Sequence, residues 1–177
     1  KVQTLRLFPM DFEEFLMAMG EEQLLKLMHS HDYELMNAFH EKLKDLLRQY
    51  YYVGGMPEVV KAFAENKLLN QVRSLQNEIL SNYASDFSKH APSQEVPRID
   101  MVWQSILGQL SKENKKFVYG VLKKGGRAKE FELAIQWLVD AGLVYKITKV
   151  SKPELPLKFY EDLSAFKLYL CDCGLMG

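Results

Sequence analysis

Apolar residues recur at helical spacing through the first half of the chain. Phe12, Phe15, Leu16 and Met19 follow Pro9 and Asp11, which predicts a helix capped by Asp11 and ended by Gly20. Further helical patterns cover 22–28 and 31–52, the second with Leu35, Phe39, Leu43, Leu46, Leu47 and Tyr50 on one stripe. Gly54-Gly55-Met56-Pro57 interrupts the periodicity, and a helix resumes over 58–65 with the proline placed for its first turn. A long helix is predicted over 68–87, carrying Leu69, Val72, Leu75, Ile79, Leu80, Tyr83 and Phe87.

The polar, proline-containing stretch 89–97 loses the pattern, and the domain boundary is expected there. Beyond it the order changes. A helix at 99–110, a short apolar piece at 117–122, a Gly-Gly turn, a helix at 128–141 and a strand at 143–150 follow one another, then alternating segments at 158–160 and 166–171. Three helices and a β-hairpin make the winged-helix order, with 128–141 in the recognition position and 150–157 as the wing. A three-stranded sheet is expected, its third strand near Val118. The predicted fold is therefore mainly α with a small β-hairpin or sheet: a lid-like helical bundle over 1–90 and a winged helix over 98–177.

Composition supports a folded chain: 177 residues, 47% hydrophobic and 26% charged, enough for one real core or two small ones. Lys plus Arg and Asp plus Glu both number 23, so the total charge points to no class of partner. Its distribution does. Acids outnumber bases over 1–50, whereas Lys112, Lys115, Lys116, Lys123, Lys124, Arg127 and Lys129 meet a single early acid, Glu113. Lys115, Lys116, Lys123, Lys124, Arg127 and Lys129 are the candidate residues for binding nucleic acid or another partner, because they fall on the predicted recognition helix and the turns before it. The same basic face could equally dock a protein.

Catalytic and metal-binding patterns are missing. No G-x-x-x-x-G-K-[ST], H-E-x-x-H or serine elbow occurs, so no catalytic residue, cofactor-binding residue or metal ligand is nominated. His29 and His31 lie two apart, on different faces of a helix, and with Asp32 read as a solvated turn. Cys171 and Cys173 are too close in sequence for an ordinary disulfide and read as small buried hydrophobes in a reducing, cytoplasmic setting. No apolar run is long enough for a membrane span, which excludes a membrane partner. Lys1 in place of methionine and the abrupt stop at Gly177 predict a fragment or a processed chain.

Several ordered strings also resemble a known family. They are Leu5-x-Leu7-Phe8-Pro9-Met10-x-Phe12, Tyr51-Tyr52-Val53-Gly54-Gly55-Met56-Pro57-Glu58-Val59-Val60, and Ile79-Leu80-x-x-Tyr83-x-x-Asp86-Phe87-x-Lys89. Lys116-Phe117-x-Tyr119, Trp137-Leu138-x-x-Ala141-Gly142-Leu143 and Phe166-Lys167-Leu168-Tyr169-x-x-Asp172-x-Gly174-Leu175 continue the series. Together they resemble bacterial and archaeal AAA-type ATPases that carry the C-terminal domain of unknown function 4143, over nearly the whole chain. The resemblance implies a preceding P-loop domain with ATP and magnesium, a following nuclease-like part, and the ATPase domain as a partner, with a homo-oligomer as a further expectation. On that reading this chain is a coupling or recognition module and not an enzyme, with a winged-helix DNA-binding module as the alternative. Arg127 could meet a phosphate, a nucleotide on a neighbouring subunit or a carboxylate.

Overall fold

The computed structural model describes residue 3 and residues 5–176, which are mainly helical with one small antiparallel sheet. They form two compact units, Lys1–Leu80 with Asp172–Gly177, and Ser81–Cys171. The division falls inside a single helix.

In the first unit α1 (Phe12–Ala18) begins where the sequence places it. The Asp11 carboxylate accepts the Glu14 N–H and the Glu14 carboxylate accepts the Asp11 N–H, both at 2.9 Å, so the two donors left over at a helix start are satisfied reciprocally. α2 (Glu22–Ser30) follows. The single helix predicted over 31–52 is instead two, α3 (Tyr33–Ala38) and α4 (His40–Val53). α2 ends at His31, whose φ is 55°, and Asp32 caps α3 by accepting the Leu35 N–H at 3.0 Å, while the break between α3 and α4 falls at Phe39, with φ −101° and ψ 10°. The predicted stripe breaks with it. Leu35 and Phe39 are exposed, whereas Leu46 is buried.

α5 (Pro57–Asn66) starts on its proline, whose missing N–H costs nothing in a first turn. α6 (Leu69–His90) is the longest helix. Adjacent residues of α1 feed two cores: Phe15 joins Val53, Val59, Val60, Phe63 and Val72, while Leu16 joins Leu24 and Leu46.

The second unit contains α7 (Val96–Leu110), a short α8 (Tyr119–Leu122), α9 (Ala128–Asp140), β1 (Val144–Val150) and β2 (Glu161–Leu170). The strands pair antiparallel from Val144 opposite Leu170 to Val150 opposite Glu161, with a bulge between Thr148 and Lys149. Only these two strands form the sheet among the described residues. The expected third strand is reduced to one rung, in which the Phe117 N–H donates to the Phe166 carbonyl at 2.9 Å before the chain turns into α8. The predicted strand at 158–160 is a 3-10 turn, Leu157–Tyr160. Phe131, Leu138, Val144, Phe166 and Leu168 are buried, and the Phe87 ring meets Trp103 and Trp137 edge-on at 5.5 and 5.6 Å.

Candidate functional site

The Gly-Gly-Met-Pro turn closes against the C-terminal residues of its own unit. Gly54 has φ 78° and ψ −168°, a conformation essentially reserved for glycine. A Cβ there would overlap the Asp172 carboxylate, and one on Gly55 would overlap the backbone of Met10. Asp172 Oδ2 accepts the Gly55 N–H at 2.5 Å and Oδ1 accepts the Gly174 N–H at 2.9 Å. Met10 N–H donates to the Gly55 carbonyl at 2.7 Å, and the Tyr50 hydroxyl donates to the Met10 carbonyl at 3.0 Å. Glycine is required because backbone packs directly on backbone and on a carboxylate.

The electrostatics of this clasp follow from its burial. Desolvation pushes the Asp172 carboxyl above its ordinary value, against the pull of the Gly55, Gly174 and Leu175 N–H groups. It pushes the Tyr50 phenol up to about 12, with Cys173, Asp172 and Asp11 adding to the rise. The Cys173 thiol is raised by burial first and Asp172 second, the reverse of what a nucleophilic cysteine needs. These groups hold the fold together.

A different surface offers binding. Tyr119, Glu132, Leu133, Gln136, Lys146 and Leu163 line a groove of 760 Å³ between α9 and the hairpin. Leu133 is 69% exposed and Leu163 70%. In the loop between the strands Leu155 and Phe159 are 88% and 84% exposed. Exposed apolar side chains also occur in the first unit, among them Leu7 and Tyr33, but Leu133 and Leu163 line one groove together.

The six basic residues singled out from the sequence are all exposed, and they lie on three successive segments. Lys115 and Lys116 lie in the loop after α7, where Lys116 borders the hairpin. Lys123 and Lys124 follow α8, Arg127 is the N-cap of α9 and Lys129 lies in its first turn. Lys123 stands 3.8 Å from Glu130. Further along α9 the exposed positions are Glu132, Leu133, Gln136 and Asp140, so the helix becomes acidic and apolar where a DNA groove would be read.

Elsewhere, His29 pairs with Glu13 at 3.1 Å and Lys89 with Asp86 at 3.3 Å. Among the described residues no group of three or more His, Cys, Asp or Glu could hold a metal, and no helix is long and apolar enough to cross a membrane.

Two buried glutamines escaped the sequence reading. Gln76 Nε2 donates to the Tyr52 and Val53 carbonyls at 2.7 and 3.2 Å, tying α6 to the end of α4. Gln109 Oε1 accepts the Val118 N–H at 2.6 Å, and its Nε2 donates to Ser105 Oγ at 3.1 Å. Their only signal is a polar residue beside the apolar stripe of a helix.

A family model described as Domain of unknown function (DUF8612) matches residues 44–177. The chain belongs to this family. The match replaces the resemblance to AAA-type ATPases with domain of unknown function 4143, and the P-loop partner, ATP, magnesium and nuclease-like continuation lose the ground on which they were expected. No curated protein and no solved structure matches. Within the DUF8612 span lie the Gly54-Gly55 turn, Asp172, α9 and the whole hairpin, whereas α1 to α3 precede it.

Proposed function

We propose that the DUF8612 chain is a binding module, not a catalyst, in which residues 98–177 act as a winged helix that docks a partner protein through α9 and the hairpin. The observation that carries the reading is the exposure of Leu133 and Leu163 in the lining of one groove, with Leu155 and Phe159 also exposed in the loop between the strands. The order α7, α8, α9, β1, β2 supports the winged-helix assignment, and the basic residues at the start of α9 supply a polar rim that would steer an acidic partner. Cys171 and Cys173, too close in sequence for an ordinary disulfide with each other, favour the cytoplasm as its setting.

Duplex DNA is the second reading, favoured by Lys123, Lys124, Arg127 and Lys129 around the N-terminus of α9. Glu132 and Asp140 on the exposed side of the same helix count against it, because they would face phosphates.

Site-specific cross-linking in cells tests the protein reading. A photoreactive residue, Leu133→p-benzoylphenylalanine, should yield a discrete protein adduct that disappears when Leu163→Asp is added. The same residue placed at the exposed Lys26 of α2 should not. Identical adducts from both positions, or none from 133, would dismiss protein docking. The adduct's mass separates a second copy of this chain from another protein.

A further inference from the structure

The outward face of the hairpin carries a second surface of different chemistry. In an antiparallel pair, directly opposite residues project to the same side, and the side alternates along the strand. Val144, Lys146 and Thr148 stand opposite Leu170, Leu168 and Phe166 and turn towards the core, where Lys146 Nζ lies 4.5 Å over the Phe166 ring. The other face therefore presents Tyr145 opposite Tyr169, then Ile147 opposite Lys167, then Lys149. Tyr145 is 43% exposed and Ile147 54%.

Lys116 reaches this face from the loop after α7. With Lys149, Lys167, Ile147 and Tyr169 it lines a groove of 570 Å³. One carboxylate, Asp162, lies in the groove, and it is already engaged by the Ser164 N–H at 3.0 Å and hydroxyl at 2.6 Å. Three ammonium groups thus meet one carboxylate, and the exposed loop adds Lys112 and Lys115 against Glu113.

We propose that this face, with Lys116, Lys149, Lys167 and Tyr169 around one groove and Tyr145 opposite Tyr169 on the neighbouring strand, binds single-stranded nucleic acid. Lysines neutralise successive phosphates, while tyrosine rings on a sheet offer flat apolar surface to unstacked bases. A duplex cannot use such a platform, since its bases are stacked inside. An acidic peptide would satisfy the lysines and leave the tyrosines idle. The surface is separate from the Leu133–Leu163 groove, so the two readings stand or fall independently.

Fluorescence anisotropy of the full chain with labelled 15-mers of dT and rU tests this, against a duplex of equal length and a polyglutamate peptide. Either 15-mer should bind at low salt, with log affinity falling against log salt with a slope of about 2 for three phosphates. Lys149→Glu with Lys167→Glu should weaken binding at least about tenfold, and the milder Lys149→Gln with Lys167→Gln should weaken it by a smaller factor. Both pairs lie on the surface, and circular dichroism checks their fold. Tyr145→Ala should weaken oligonucleotide binding about fivefold or more and leave polyglutamate unchanged. Absence of binding to both 15-mers, equal affinity for duplex or polyglutamate, or indifference to Tyr145→Ala would each overturn the proposal.

Discussion

Asp172 holds the backbone of Gly55, 117 residues earlier in the chain, by accepting its N–H at 2.5 Å. The same carboxylate accepts the Gly174 N–H, so one side chain fastens the turn between α4 and α5 to the chain's last described residues. The Gly-Gly-x-Pro string and the Asp-x-Gly string are two halves of one contact. Their residue types follow from that contact and require no ligand.

Gly54→Ala should be strongly destabilising, because it combines a forbidden φ with overlap of the Asp172 carboxylate. We expect a loss of about 2 kcal/mol or more in urea unfolding, summing strain and overpacking. Asp172→Ala should strand buried N–H donors at about 1–3 kcal/mol each. The two changes should be non-additive in a double-mutant cycle. A Gly54→Ala protein as stable as the parent would mean that the clasp does not form.

Tyr50 predicts an alkaline transition. Its folded value of about 12 lies above the ordinary value of 10.0, so its contribution to stability is intact below pH 10 and is lost as pH climbs through 12. Burial also raises Tyr119, and the hydrogen bond to Glu154 raises Tyr160, so ultraviolet titration should reveal several late-ionising tyrosines, one of which is absent from Tyr50→Phe. The variant should also lose less stability between pH 10 and 12. Complete ionisation of every tyrosine below pH 11 in the folded protein contradicts this.

Gln109 should matter out of proportion to its size. Gln109→Leu keeps the volume but leaves the Val118 N–H without its acceptor, at a cost of about 1–3 kcal/mol. Hydrogen exchange at Val118 should accelerate, and the adjoining Phe117 rung on β2 should loosen with it. Unchanged protection of both amides would show that the glutamine is dispensable.

For duplex DNA, the charge on α9 predicts poor binding. The chain should not retard a duplex at physiological salt, since Glu132 and Asp140 share the exposed side with Lys129. Tight retardation that vanishes in Lys124→Glu with Lys129→Glu, while Lys42→Glu with Lys44→Glu leaves it intact, would restore the DNA reading over protein docking.

The sequence by itself determined the local structure wherever one short-range cause dominates. Asp11 with Glu14, Pro57, and the stripes of α5, α7 and α9 specify their elements through caps, fixed φ and 3.6-residue periodicity, all within one or two helical turns. Where two causes compete, periodicity misleads. The stripe over 31–52 hides the break at Phe39, and the alternation at 158–160 belongs to a turn. Tertiary structure alone decided which distant groups meet. That Asp172 belongs with Gly55, that Gln109 serves Val118, and that Lys116 joins Lys149 and Lys167 while Lys123 to Lys129 gather at α9 depends on chain closure over long separations. A linear charge run carries no record of that closure, because neighbouring lysines in sequence can end on different faces and distant ones on the same face.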